Sequence, residues 1–348
     1  VSLALSALGW TPSREEEFEQ YAAAGLAPAR VAAQQRGLYT VRGEAGELSA
    51  EVSGRLRHES AGPADLPVVG DWVAVRAPAT VDAVLPRATA FVRKAAGTDV
   101  VEQVLAANVD VVFLVTAFDA DLNVRRLERY LAAGWESGAQ PVIVVNKSDL
   151  ADDPAAELAE VEAIAFGVPV HAVSCREADN LDGLTAYFAG NRTVALLGSS
   201  GVGKSSLVNR LLGGERQHVG GLRNDGRGRH TTTARELFAV PGGGLVLDTP
   251  GMRQLGLWDA GGGLGEAFDD VASLAAECRF ADCAHESEPG CEVLAAVADG
   301  RLDPDRLESY RKLLRELRHL ELKTDARARS EERQNRRRFA RSRRRSAY

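Results

Sequence analysis

Residues 198–207 read GSSGVGKSSL. The first eight, Gly198-Ser199-Ser200-Gly201-Val202-Gly203-Lys204-Ser205, satisfy G-x-x-x-x-G-K-[ST] in full, follow the apolar run TVALL and open the helical stretch SSLVNRLL. Strand, glycine-rich turn and helix in that order distinguish a phosphate-binding loop from a chance match. The glycines let successive backbone N–H groups and the helix N-terminus face an anion. Lys204 is expected to reach the β- and γ-phosphates as the catalytic cation, and the Ser205 hydroxyl to ligate Mg²⁺, with Ser206 beside them in the nucleotide-binding set. Domains of this kind usually begin with such a loop, yet here it lies well past the middle of 348 residues. What precedes it decides the fold.

VDVVFLVTAF (Val109–Phe118) and QPVIVVNKSDL (Gln140–Leu150) are continuous β-rich apolar runs, as strands buried on both faces of a parallel sheet require. Helical spacing lies between them in NVRRLERYLAAGWESG, and the alternation continues through AAELAEVEAIAFG, VPVHAVSC and TVALLG. A doubly wound α/β domain is predicted from about residue 100 to residue 257. Asn146-Lys147-Ser148-Asp149 ends one of its strands. There the Asp149 carboxylate can accept from guanine N1–H and N2–H, a donor pair adenine lacks, while Asn146 braces the loop and the Lys147 stem covers the base. NKSD is also a good turn and helix cap; the phosphate loop in the same domain favours the guanine reading, and NKSD in turn argues against a small-molecule kinase. Asp248-Thr249-Pro250-Gly251 follows the apolar GLVL, placing Asp248 for the Mg²⁺ shell and the Gly251 N–H for the γ-phosphate. Ser174-Cys175, at the end of VPVHAV, is positioned like a loop that braces guanine with a backbone N–H. Base-reading elements therefore precede the phosphate loop, the reverse of the usual order. Because functional loops of a parallel sheet all lie at its carboxyl edge, a site survives cutting and rejoining the chain elsewhere. The domain reads as a circular permutant.

Upstream, LYTVRG, ELSAEVSGRLR, VVGDWVAVRA, TVDAVLP and FVRK alternate between turns as in a small β-barrel, a frame that suits RNA among other ligands. Arg87, Arg93 and Lys94 there are open to two readings, phosphate contact or solvated surface charge. Downstream, Cys278, Cys283, His285 and Cys291 form C-x₄-C-x-H-x₅-C. Three thiolates and an imidazole suit a closed tetrahedral Zn²⁺; reduced cysteines in a small core are the other reading. A helix, RLESYRKLLRELRHLEL, then leads into a tail whose Lys323–Tyr348 stretch carries eleven Lys/Arg against three Asp/Glu, in a chain of net charge −7. An acidic body with a basic end suggests a polyanionic partner there, although a charge run can also be a plain disordered end.

No apolar run approaches the roughly 20 residues that span a bilayer. The opening VSLALSALGWTPSREEEFEQ lacks a basic segment and a cleavage site, so a cytoplasmic chain without a membrane partner is expected. Five of the 42 basic residues are lysines. Two of them, Lys147 and Lys204, stand in the nucleotide signatures, where a guanidinium does not replace an ammonium.

Taken together, VVGDWV, LPR…FVRK, NKSD, GSSGVGKSSL, GRHTTT, DTPG and CRFADCAHESEPGC closely resemble the circularly permuted, small-subunit-dependent GTPases of the RsgA/YjeQ family, over nearly the whole chain. The resemblance implies a multidomain α/β protein. Its parts would be an N-terminal segment (1–36), an OB-fold barrel (37–96), a permuted GTPase domain (97–260), and a zinc-binding domain with helix and basic tail (261–348). It also implies a GTPase, expected as a monomer, that binds the small ribosomal subunit and its rRNA, is stimulated by it, and acts late in its maturation. The other function carried forward is an RNA-binding assembly protein for which nucleotide is only a structural ligand. Between phosphate loop and DTPG, one of Thr231, Thr232 and Thr233 should bind Mg²⁺, with Thr232 favoured; alternatively these threonines only begin a strand. Met252 follows DTPG, where many GTPases carry a water-orienting glutamine. Intrinsic hydrolysis should then be slow, and His230 either orients the water or serves a structural or RNA-contacting role.

Overall fold

The computed structural model of the chain describes residues 5–35, 37–94, 102–119, 122–214, 235–248 and 261–324. His230, Thr232 and Gly251 lie outside them. The chain divides into two compact units, residues 1–256 and 257–348.

The strands of the first unit are β1 (Ala27–Gln35), β2 (Leu38–Gly43), β3 (Gly46–Val52), β4 (Trp72–Arg76), β5 (Thr80–Val84), β6 (Ala90–Lys94), β7 (Glu102–Ala107), β8 (Val111–Ala117), β9 (Gln140–Asn146), β10 (Val170–Ala172), β11 (Thr193–Leu197), β12 (Arg235–Ala239) and β13 (Leu245–Asp248). One sheet runs in the order β10-β9-β8-β11-β13-β12-β1-β2-β3-β5-β4. From β10 to β13 the strands are parallel. Every residue of β8 is buried, as its unbroken β-branched and apolar run demands. Each such fully buried Val or Leu contributes roughly 1.5–3 kcal/mol. From β8 the chain steps outward through β9 to β10, whereas β11 and β13 lie on its other side. The strand order therefore reverses between β8 and β11, and ligands of open α/β sheets bind at the carboxyl edge of such a point. The strand before NKSD precedes the strand before the phosphate loop in the chain while lying two places from it in the sheet, the arrangement that the expected circular permutation requires.

The sheet does not end at β12. That strand, antiparallel to β13, pairs with β1 through Ala33↔Glu236 and Gln34↔Arg235. From β1 the order β2-β3-β5-β4 closes through a β1–β4 pairing into a five-stranded OB-like barrel around Val31, Val41, Val73 and Val81. Closure leaves the barrel without a free edge. Its limits differ from those read in the sequence. It opens at Ala27, inside the expected N-terminal segment, because APARVAAQQ has no apolar alternation to announce a strand. FVRK lies in β6 and pairs with β7 in a separate two-stranded sheet. SGRLR folds as a short helix, Gly54–Glu59, whose first turn is capped by Ser53 Oγ accepting from Leu56 N at 3.1 Å.

Buried polar groups join the barrel to the sheet. Arg30, in the middle of β1, donates to the carbonyls of Leu8, Gly70 and Asn108 and lies 5.3 Å from the Trp72 ring centre. Burial lowers Arg30 to about 10, which leaves it charged at neutral pH. Asn108 Oδ1 accepts from Arg14 at 2.7 Å and from Ala88 N at 3.0 Å. Arg87 is not simply a solvated charge. Its guanidinium grips the fully buried Asp71 with two 2.8 Å bonds and donates to Ala64 O and Leu66 O. The motifs VVGDWV and LPR are thus the two halves of one ion pair. Arg93 donates to Gln103 across β6 and β7 at 3.1 Å.

The second unit comprises helices Gly261–Ala267, Asp269–Ala276, Glu292–Ala298 and Pro304–Thr324, the last containing the helix read in the sequence. Phe268 is fully buried, with Arg306 3.9 Å over its ring and bonded to Asp270 and Ala267 O. Among the described residues no helix is long and apolar enough to cross a membrane.

Arg87→Ala strands a buried carboxylate, so a loss of about 3–5 kcal/mol is expected in urea denaturation. Arg87→Lys, lacking the two-pronged fork, should recover only part of it. Wild-type stability for Arg87→Ala would contradict the assigned pairing.

Candidate nucleotide-binding site

The site is built from segments leaving β8, β9, β10 and β11 at one edge of the sheet. Asn146, the last residue of β9, is 2% exposed. Its Nδ2 donates to Val202 O at 2.9 Å, inside the phosphate loop, and its Oδ1 accepts from Cys175 N at 3.1 Å. One amide therefore fastens the phosphate loop to the 174–175 loop. Within the Ser174-Cys175 loop, the Cys175 N–H is directed to this amide. The glycine positions follow from the same closeness. A Cβ on Gly203, which has φ +95°, would stand 2.1 Å from Asn146 Nδ2, and one on Gly198 would stand 2.2 Å from Val115 O.

Lys147 adopts a left-handed conformation at φ 64°, and its Nζ donates to Asp119 Oδ2 at 2.6 Å. Asp149 has a buried side chain. Its Oδ1 accepts from Ser174 Oγ at 2.6 Å, and the exposed Arg176 guanidinium lies 3.9 Å from its Oδ2. From the helix after the phosphate loop, Lys204–Leu211, Arg210 donates to Cys175 O at 2.8 Å and Arg176 O at 3.0 Å. Burial pushes the Cys175 thiol up to about 11, Arg210 opposing and Asp149 reinforcing, so it packs as a neutral group. Lys204 Nζ folds over the loop, donating to Gly198 O at 2.6 Å and to Ser199 O.

These segments enclose a cleft of about 390 Å³, within the roughly 300–1,000 Å³ typical of small-molecule sites. Asn146, Lys147, Asp149 and Cys175 line one end, and Gly201, Gly203, Lys204, Ser205 and Ser206 the other. Asp248 ends β13, beside β11, and is not among the lining residues. Its neighbour across the strand pair is Glu236. Asp119, Arg176 and Arg210 were absent from the sequence reading. For Asp119 a signal existed, since it follows an apolar strand just as NKSD does; the two arginines carry none in the sequence.

In the second unit the side-chain ligand atoms of Cys278, Cys283, His285 and Cys291 all lie within 4.8 Å of one another. His285 Nδ1 is 3.6 Å from Cys278 Sγ and 3.4 Å from Cys291 Sγ, and the two sulfurs are 3.8 Å apart. Four ligands held tetrahedrally at about 2.3 Å (S) and 2.0–2.1 Å (N) from one ion would be separated by about 3.6–3.8 Å. The donor set therefore fits a metal, and the sulfurs are too far apart for a disulfide. Left-handed backbone at His285, φ 56°, turns the chain inside the cluster, and Cys291 Sγ accepts from Leu294 N at the start of a helix.

Asn146→Ala leaves the Val202 carbonyl and the Cys175 N–H unpartnered, each a penalty of about 1–3 kcal/mol. Lower stability and at least tenfold weaker nucleotide binding, measured by calorimetry, are the expected results. Unaltered affinity would detach this amide from the site.

The family model described as RsgA GTPase matches residues 84–258, and one described as 50S ribosome-binding GTPase matches residues 193–324. A protein of Opitutus terrae named small ribosomal subunit biogenesis GTPase RsgA is 50% identical, covering 90% of each chain. One of the same name from Streptomyces coelicolor is 49% identical over 94% of this chain and 90% of its own. The crystal structure of YjeQ from Thermotoga maritima superposes with a TM-score of 0.65 at 26% identity, covering 84% of this chain and 98% of that one. YloQ, described as a circularly permuted GTPase, gives 0.61 at 24% identity, covering 84% and 96%. The chain belongs to the RsgA family of circularly permuted GTPases.

Proposed function

We propose that the protein hydrolyses GTP to GDP and phosphate in the biogenesis of the small ribosomal subunit, with turnover stimulated by that subunit. The observation that carries this reading is the Asn146 bridge. It ties a carboxylate suited to guanine and a glycine loop suited to phosphates into one cleft, while relatives 49–50% identical are named for this activity.

Asp149, oriented by Ser174, accepts from guanine N1–H and N2–H; Lys147, held by Asp119, lays its stem along the base. Gly198 to Gly203 direct backbone N–H groups at the phosphates, and Lys204 leaves the loop carbonyls for the β- and γ-oxygens. Ser205 and Asp248 are the described residues suited to hold Mg²⁺, which would neutralise charge between the phosphates. Thr232 as a further Mg²⁺ ligand, Gly251 at the γ-phosphate and His230 as the water-orienting group complete the assignment from outside the described residues. Cys278, Cys283, His285 and Cys291 hold one structural Zn²⁺, with no position left open for catalysis. The protein acts as a cytoplasmic monomer, and its basic tail meets rRNA through phosphates, a contact that weakens with salt.

GTP turnover with and without purified small subunits tests the proposal. The subunit should raise the rate, and Lys204→Ala should abolish both basal and stimulated turnover. Equal rates with and without subunits would instead favour an assembly protein that uses nucleotide only structurally. Asp149→Asn exchanges an acceptor for a donor, removing charge-assisted bonds of roughly 1.5–3 kcal/mol each, so affinity for GTP should fall about 100-fold or more. Xanthosine triphosphate, which carries an oxygen where guanine has N2, should then bind better than GTP. Retained GTP preference would reassign the base reader. The water-orienting role is tested by His230→Ala, for which near-normal stimulated turnover would dismiss it.

A further inference from the structure

Arg210, in the last turn of the helix Lys204–Leu211, is not among the residues that line the nucleotide cleft. Its guanidinium is nevertheless spread along the base-reading loop, Nε donating to Cys175 O at 2.8 Å and Nη2 to Arg176 O at 3.0 Å. That loop needs an outside hold. Ser174 and Asp179 close it with two backbone hydrogen bonds, yet Ala178 inside the closure and Asn180 just beyond it take left-handed backbone, φ 58° and 56°. An alanine gains nothing locally from that conformation and keeps it only where the surroundings impose it.

The hydrogen bonds beyond Arg210 all run in one direction. The Arg176 carbonyl that it grips and the Glu177 N–H belong to the same peptide plane, and this N–H donates to Ser174 Oγ at 3.1 Å. Ser174 has a single hydroxyl proton, which goes to Asp149 Oδ1 at 2.6 Å. A continuous relay, from guanidinium to peptide to hydroxyl to carboxylate, therefore joins a cation outside the cleft to the group suited to guanine inside it. Orientation passes along it because the peptide unit is planar, and successive bonds of one polarity strengthen each other. We propose that Arg210 is a positioning residue for base selection, acting through the 176–177 peptide and Ser174 to aim the Asp149 carboxylate at guanine N1–H and N2–H. This assignment rests on the guanine reading of Asp149.

Inosine diphosphate (IDP) lacks the 2-amino group of GDP, so the ratio of the two affinities reports on the aim of the carboxylate. It is measured in the full-length chain by competition with a fluorescent GDP analogue. Wild type should prefer GDP about 10–100-fold, the worth of one hydrogen bond to a charged acceptor. Arg210→Met keeps the length and apolar stem but removes every donor. Because a hydrogen bond weakens steeply with misalignment, the variant should cut the preference about tenfold, GDP weakening more than IDP. Arg210→Lys, a donor without the fork, should recover part of the preference. Ser174→Ala breaks the relay further along and should lose selectivity likewise, so adding Arg210→Met to it should remove none of what is left. An unchanged GDP preference in Arg210→Met, an equal loss of affinity for both nucleotides, or a further loss of selectivity on top of Ser174→Ala would overturn the proposal. A wild type that binds GDP and IDP equally would instead remove the guanine reading itself.

Discussion

The Asn146 amide is the constraint on which the nucleotide cleft depends. A parallel sheet can place several loops at one edge, but their fine spacing is left to side chains, and here one carboxamide spans three segments. Its two ends fit opposite partners, a carbonyl from the phosphate loop and an N–H from the 174–175 loop, so it cannot be reversed without losing both bonds. Closeness to Val202 and Gly203 is what forbids a side chain at Gly203. Arg210 repeats the connection from the other direction, running from the phosphate-loop helix to the carbonyls of Cys175 and Arg176. The base half and the phosphate half are consequently fastened to each other, although dozens of residues separate them in the chain.

A second consequence of the topology concerns the barrel. β12, at the margin of the α/β sheet, directly precedes β13 and Asp248, and its outer edge is occupied by β1. Arg42 on β2 reinforces the join by donating to Leu237 O at 2.8 Å. Barrel and GTPase sheet thus share backbone hydrogen bonds as well as the buried network of Arg14, Arg30 and Asn108. Within 1–256 they fall in one compact unit.

The second unit relies on a different economy of forces. Three of its four described helices span only seven or eight residues, and charged groups in the interior need specific partners. Arg306 has its partners within the protein.

Much of the site was legible in the sequence because its chemistry constrains residue type locally. A glycine loop ending in Lys-Ser after an apolar strand, an NKSD after another, and four metal-type ligands within fourteen positions need no knowledge of the fold to be noticed. Their reversed order even disclosed the permutation, since the carboxyl edge of a sheet is indifferent to where the chain is cut. What tertiary structure alone decided are pairings between distant residues whose types are individually unremarkable. β1 is a strand because β2, β4 and β12 flank it and Arg30 finds three carbonyls, not because APARVAAQQ favours one. Arg87 became the partner of Asp71, and Asp119 the partner of Lys147. A side chain's type can be read from one position, but the energy of a buried charge or hydrogen bond depends on what the fold brings against it.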